Sequence, residues 1–274
     1  TCMSVQSVGT EFGRKTRIHQ ASCNTDLSCL SGDCPSFLLV EPGRTPTARR
    51  RTPDLPVALT EPVDGVTADD VVLRMPGIGG TGVVTVSQIL QMAAHVDGLH
   101  AAGLEQIGLA QKGGPVVSDV RISKDRVSGA LKASRGTVDV LVGFDLLGAA
   151  SDANLATCLP SRTVAVVNTA VVPTIGMVTG RVAVPGGPDD ALERIGSVVR
   201  DVHAVDANGL SEALFGDHLP VNLLLLGAVY QHGLLPVSAQ AVEQAITLNG
   251  TAVEQNLAAF RWGRAVVQDP AAVA

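Results

Sequence analysis

From Val71 onward, short apolar runs alternate with stretches of helical periodicity, and this alternation restricts the chain to few folds. Val71-Val72-Leu73-Arg74-Met75 predicts a buried strand, residues 77–82 a glycine loop, and Val83–Val96 a helix with Val86, Ile89, Leu90 and Ala93 on one face. Residues 116–122 alternate as a strand, and residues 138–142, 163–167 and 202–205 are further short apolar strands. Residues 99–103 read as a weak strand that Gly103 interrupts. A helix is expected near 210–215, and three more close the chain near 220–232, 238–248 and 251–267. Strands alternating with helices imply βαβ units. Hydrophobic residues make up 46% of the chain but aromatics only 3%, so the core must be Val, Leu, Ile and Ala, as in parallel α/β layers. The expected fold over residues 67–268 is α/β, an open, mostly parallel Rossmann-like sheet with helices on both faces.

A different composition precedes this domain. Residues 1–40 hold four of the five cysteines. They predict an irregular, cysteine-rich, ferredoxin-like iron–sulfur segment. Residues 41–66 carry Pro42, Pro46, Pro53, Pro56 and Pro62 among scattered Arg and Thr, the composition of an extended linker. Cys23, Cys29 and Cys34 are spaced C-x5-C-x4-C, with Pro35 directly after. Soft thiolates clustered on a short loop-rich segment suit an iron–sulfur cluster. Zinc and unliganded thiols stay open, although the paired C-x2-C knuckles of zinc sites are missing. A disulfide framework fits poorly with an odd cysteine count in a reducing compartment. Cys158 stands apart and reads as a thiol without a ligand role.

Gly77, Gly79 and Gly82 form G-x-G-x-x-G after a strand and before a helix, the context in which glycines admit a phosphate to the backbone at a helix N-terminus. Three readings stay open: a nicotinamide cofactor, another phosphate or anion, and a tight architectural turn. The nicotinamide reading requires an acidic residue about twenty positions on, for which Glu105 is the candidate. Lys112, in a second glycine-rich loop, is a candidate anion contact. Asp145, Asn168 and Asp206 each follow an apolar strand closely, where they cap the next helix or face a ligand. The six histidines show no metal spacing, and no nucleophile–base constellation is legible, so no catalytic residue is assigned. The net charge of −6 argues against nucleic acid as a partner. No apolar run reaches the ~18 residues of a membrane helix and no signal peptide is visible, so a soluble, cytoplasmic protein is expected. The opening on Thr1 and the uncapped ending at Ala274 are those of a piece cut from a longer chain.

Three stretches in this order resemble one family. Residues 10–20 run into Cys23, Cys29 and Cys34-Pro35; Gly77-Ile78-Gly79-Gly80-Thr81-Gly82-Val83-Val84-Thr85 opens the α/β domain; Gly108-Leu109-Ala110-Gln111-Lys112-Gly113-Gly114 leads into residues 117–122. They are similar to the C-terminal part of fused indolepyruvate:ferredoxin oxidoreductases, of the 2-oxoacid:ferredoxin oxidoreductase superfamily, and residues 256–264 look alike too. The α/β part resembles the gamma-type pyruvate/ketoisovalerate oxidoreductase catalytic domain. The resemblance implies oxidative decarboxylation of a 2-oxoacid on thiamine diphosphate, electron transfer through [4Fe–4S] clusters to ferredoxin, and acyl transfer to coenzyme A. It implies Cys2, Cys23, Cys29 and Cys34 as cluster ligands, and Gly77, Gly79, Gly80, Thr81, Gly82 and Lys112 either as contacts to the coenzyme A phosphates or as a surface that docks the thiamine domain. It also implies a thiamine domain in the same polypeptide and a homo-oligomer. No Gly-Asp-Gly thiamine motif occurs in the sequence, so this piece alone is expected to be inactive. The alternatives are a nicotinamide-dependent oxidoreductase with a zinc-stabilised N-terminal loop, and a non-catalytic scaffold.

Overall fold

A computed structural model describes residues 4–18, 53–63, 70–108, 114–172, 177 and 188–273. Its centre is a six-stranded sheet built from β3 (Asp70–Ile78), β4 (His100–Ile107), β5 (Pro115–Ser123), β6 (Val140–Gly143), β7 (Val164–Asn168) and β8 (Asp201–Val205), in the order β4-β5-β3-β6-β7-β8. β3, β6, β7 and β8 pair in parallel, while β5 pairs antiparallel with both β3 and β4. Five strands therefore share one direction and β5 alone opposes them. This is the expected open, mostly parallel α/β sheet, with one antiparallel strand that the sequence pattern did not predict.

Helices cover both faces. On one face lie α1 (Val83–Val96), α6 (Val221–Gln231), α7 (Ala239–Asn249) and α8 (Val253–Gln268), sharing a core with Val71, Leu73 and Met75 of β3. On the other lie α2 (Leu146–Ala149), α3 (Asp152–Leu155) and α4 (Pro188–Gly196), packed on Val72, Leu141, Ala165 and Val167. The period of two along β3 decides which side chain enters which core. α5 (Ala207–Phe215) and the short α9 (Pro270–Val273) are further helices among the described residues. Residues 221–230 of α6 are buried all round, so this apolar run is a central core helix.

Three local features differ from expectation. β4 is a full eight-residue strand. Gly103 does not break it, because the missing Cβ leaves room for the Gln91 side chain of α1 to lie against the strand. Near the N-terminus, β1 (Val5–Thr10) and β2 (Gly13–Ile18) form an antiparallel hairpin around Glu11-Phe12, which apolar periodicity does not reveal. Finally, residues 53–63 lie along α6 and α8: Thr60 N–H donates to Gln268 Oε1 at 2.8 Å, and Trp262 Nε1 donates to Pro53 O at 3.3 Å.

Candidate functional site

The sheet has a topological switch point between β3 and β6. From β3 the chain leaves through α1 toward β4; from β6 it leaves through α2 and α3 toward β7, on the opposite face. In open α/β sheets the crevice beyond the strand ends at this point is where ligands bind. The 77–82 glycine segment closes one side of it, and Phe144-Asp145 the other. Phe144 N–H donates to Pro76 O at 3.0 Å and Asp145 N–H to the same oxygen at 3.3 Å, which seats the two turns together.

The glycines have distinct roles. Gly80 and Gly82 adopt φ of +89° and +93°, where a side chain is strained. A Cβ on Gly77 would overlap Val83 Cγ2 and stand 3.2 Å from Phe144 Cβ, so this glycine lets strand and helix close together. Gly79 N–H is spent on Gly114 O at 2.7 Å, which joins the first glycine loop to the end of the second. Thr81 is tied back by its hydroxyl to Ile78 O at 2.7 Å, and its own carbonyl accepts from Asn222 Nδ2 at 2.9 Å. Asn222 is the polar interruption in the α6 apolar run, and its buried amide fixes the turn. Gly82, as N-cap of α1, offers no side chain to the first helical N–H groups, and no acidic residue stands in the first turn. Those groups and the helix dipole make the end of α1 receptive to an anion. Lys112 lies outside the described residues.

Asp145 and Asp206 cap helices as expected: Asp145 Oδ2 accepts from Gly148 N–H at 2.8 Å and Asp206 Oδ1 from Gly209 N–H at 2.9 Å. Among the described residues, Asp145 Oδ1 is buried without a partner. Burial pushes the Asp145 carboxyl above its ordinary range, against the N–H groups of Gly148 and Leu147, which lower it. Asn168 caps no helix among the described residues. Its amide donates to Asn208 Oδ1 at 2.8 Å and ties β7 to α5.

Glu105 does not stand where a nicotinamide ribose would need it. β5 lies between β3 and β4, and Glu105 is held inside by Ser87 Oγ at 2.5 Å and by Ser118 Oγ. It pins α1 to β4 and β5.

A buried polar chain that sequence reasoning missed runs behind the site. Arg74 Nη1 donates to both carboxylate oxygens of Asp119, at 2.7 and 2.9 Å, and Arg74 Nε donates to Asn154 Oδ1 at 2.8 Å. Asn154 Nδ2 donates to Gly148 O at 2.7 Å, and Gly148 N–H is the group that Asp145 caps. Gln106 Nε2 and Ala133 N–H complete the Asp119 shell at 3.1 Å each. A lone Arg within the apolar run of β3 was the available signal.

Of the cysteines, Cys2, Cys23, Cys29 and Cys34 lie outside the described residues. Cys158 is a buried free thiol, its ionisation pushed up by burial. No group of three or more potential ligands among the described residues is placed to hold a metal. No described helix is long and apolar enough to cross a membrane.

An open α/β sheet with a glycine turn and an uncapped helix N-terminus at its switch point defines a layered α/β domain with a candidate anion site. The family model for pyruvate ferredoxin/flavodoxin oxidoreductase matches residues 72–266, and the chain belongs to that family. An indolepyruvate oxidoreductase subunit, IorB, of Archaeoglobus fulgidus is 29% identical over 201 residues, 72% of this chain and 96% of that relative. The common gamma subunit of the pyruvate/ketoisovalerate oxidoreductases of Pyrococcus furiosus is 29% identical over 192 residues, 69% of this chain and 92% of the relative. Among solved structures, a 2-oxoglutarate:ferredoxin oxidoreductase from Magnetococcus marinus, determined with 2-oxoglutarate, coenzyme A and succinyl-CoA bound, shares the fold with a TM-score of 0.56 at 18% identity. That match covers 73% of this chain, which spans only 31% of the structure's own chain. The resemblance to a gamma-type 2-oxoacid:ferredoxin oxidoreductase domain, drawn from the glycine and Gln111–Gly114 segments, therefore holds, and the chain is an oxidoreductase domain lacking a thiamine motif.

Proposed function

We propose that the chain serves in oxidative decarboxylation of an arylpyruvate of the indolepyruvate type, handing electrons to ferredoxin and the acyl group to coenzyme A. The family match over residues 72–266, with relatives named for indolepyruvate and pyruvate/ketoisovalerate, carries this reading. Thiamine diphosphate chemistry is supplied by another domain of the same polypeptide. Cys2, Cys23, Cys29 and Cys34 ligate [4Fe–4S] clusters, for which their soft thiolates suit.

The α1 N-terminus, with Gly80, Thr81 and Gly82, is suited to an anionic group, and Lys112 follows in the loop that Gly114 joins to Gly79. The uncapped N–H groups and the glycine backbone fit a phosphate of coenzyme A. Asn222, through Thr81 O, holds the turn in that shape. The chain's own contribution is thus to hold and orient an anion at the switch point.

Two measurements test the reading. Anaerobic reconstitution of the whole polypeptide, reduced and examined by electron paramagnetic resonance, is expected to show a [4Fe–4S] signal; its absence rejects the cluster assignment. Coenzyme A titrated calorimetrically into the same protein is expected to bind, with Lys112→Ala weakening it; unchanged affinity removes Lys112 from the site.

A further inference from the structure

Asp145 stands on the wall of the switch-point crevice opposite the glycine turn, and its bonding is unfinished. Oδ2 is spent on Gly148 N–H at 2.8 Å, while Oδ1 is the buried side-chain oxygen left without a partner among the described residues. Buried polar atoms are nearly always paired, so an orphan oxygen at a ligand crevice calls for an explanation. The backbone that carries it is fixed. Asp145 N–H and Phe144 N–H share Pro76 O, the carbonyl just before Gly77. Asn154 holds Gly148 O at 2.7 Å, and Arg74 holds Asn154 at 2.8 Å.

No cation among the described residues bonds to this carboxyl. Arg74 of β3 reaches it only through Asn154 and Gly148, and its charge is met by Asp119 of β5 at 2.7 Å. Asp70, at the far end of β3, pairs with Arg121 of β5. Arg194 of α4 is met by Asp152 of α3 at 2.7 Å, and Asp189, Asp190 and Glu193 of α4 are exposed. β6 and β7, beneath α2, carry no charged residue, and the first turn of α1 holds no acid. Burial therefore acts unopposed by a counter-ion and raises the carboxyl above its ordinary range. A phosphate beside it raises it further, because like charge disfavours charge.

We propose that Asp145 is an anion contact of the switch point, holding one proton between its Oδ1 and an oxygen of a phosphate group bound at the α1 N-terminus. The proposal rests on the anion reading of the glycine turn given above. An ionised carboxylate and a phosphate repel each other. With one proton between them the repulsion becomes a charge-assisted hydrogen bond, and Oδ2 keeps Gly148 N–H. The proton comes from solvent, so binding takes it up and weakens as pH rises.

Asp145→Asn supplies the same arrangement without a titrating proton: the amide oxygen accepts from Gly148 N–H and the amide nitrogen donates to the anion. Calorimetric titration of coenzyme A into the whole polypeptide, in buffers of different ionisation enthalpy, counts the protons taken up. The unsubstituted protein is expected to take up about one proton more per ligand than Asp145→Asn, and to lose affinity up to roughly tenfold more steeply per pH unit. Asp145→Asn is expected to bind more tightly than the unsubstituted protein at about pH 8. Asp145→Ala, which can neither cap nor donate, is expected to bind about tenfold more weakly or worse, with its circular dichroism unchanged. Equal proton uptake and equal pH dependence in the unsubstituted protein and Asp145→Asn overturn the shared proton, and unaltered affinity in Asp145→Ala removes Asp145 from the site. Inorganic pyrophosphate, titrated in parallel, separates the two readings. If it binds with proton uptake that Asp145→Asn abolishes while coenzyme A does not bind, the contact stands and the coenzyme assignment falls. If neither binds, both fall.

Discussion

Gly227 of α6 and Gly263 of α8 face each other where the two helices cross, each against the other helix's backbone. A Cβ on Gly227 would overlap the carbonyl oxygen of Phe260, and one on Gly263 would overlap that of Leu224. Neither clash can be relieved by a side-chain rotation. Either Gly→Ala substitution should cost about 2–3 kcal/mol, despite the helix propensity alanine gains. Urea unfolding followed by circular dichroism should show both midpoints lowered, whereas Ala259→Gly in the same helix should cost less.

Arg74 and Asp119 form a buried ion pair with side chains 5% and 0% exposed. Asp119→Ala leaves the guanidinium without its carboxylate and should cost about 3–5 kcal/mol. An apolar pair, Arg74→Met with Asp119→Leu, should recover part of that loss. A double-mutant cycle by chemical denaturation checks it; strict additivity would show that the two residues do not act as a unit.

His232 stacks on His203 with ring centroids 3.7 Å apart, and His203 Nε2 lies 3.4 Å from Asp201. Burial first, then the neighbouring His203, depress the His232 ionisation from 6.5 to about 4, with Asp201 opposing. A depressed value means that folding favours the neutral ring. The contribution is complete above 6.5 and is lost as pH falls toward 4. Melting temperature should drop across that window, and His232→Phe should flatten the profile.

Asp145 carries the opposite sign. Its carboxyl is raised above the ordinary 3.8 by burial, so ionisation opposes folding as pH rises. Asp145→Asn keeps an acceptor for Gly148 N–H and removes the desolvated charge. Its melting temperature should match or exceed that of the unsubstituted protein at neutral pH, with the advantage growing as pH rises from acid. A variant that melts lower at neutral pH would mean that the carboxylate has a cation for a partner.

Local pattern carried much of this architecture. The β3 run, the glycine turn and Val83–Val96 stand where periodicity puts them, because each is decided by neighbours in sequence. Asp145 and Asp206 cap their helices for the same reason. β4 and the β1–β2 hairpin were harder to see, since edge strands and polar hairpins bury too little to show alternation. The antiparallel course of β5 was not legible either, because strand direction depends on which partner supplies its hydrogen bonds.

The sequence by itself determined the family, the layered α/β class and the glycine turn before α1, because composition and short-range spacing encode them. Only the tertiary structure decided that Gly79 would meet Gly114, that Asn222 would brace Thr81, that Arg74 would pair with Asp119, and that residues 53–63 would seat on Gln268 and Arg264. Each of these joins groups far apart along the chain, and the hydrogen bonds that reward them exist only once the helices and sheet have closed around them.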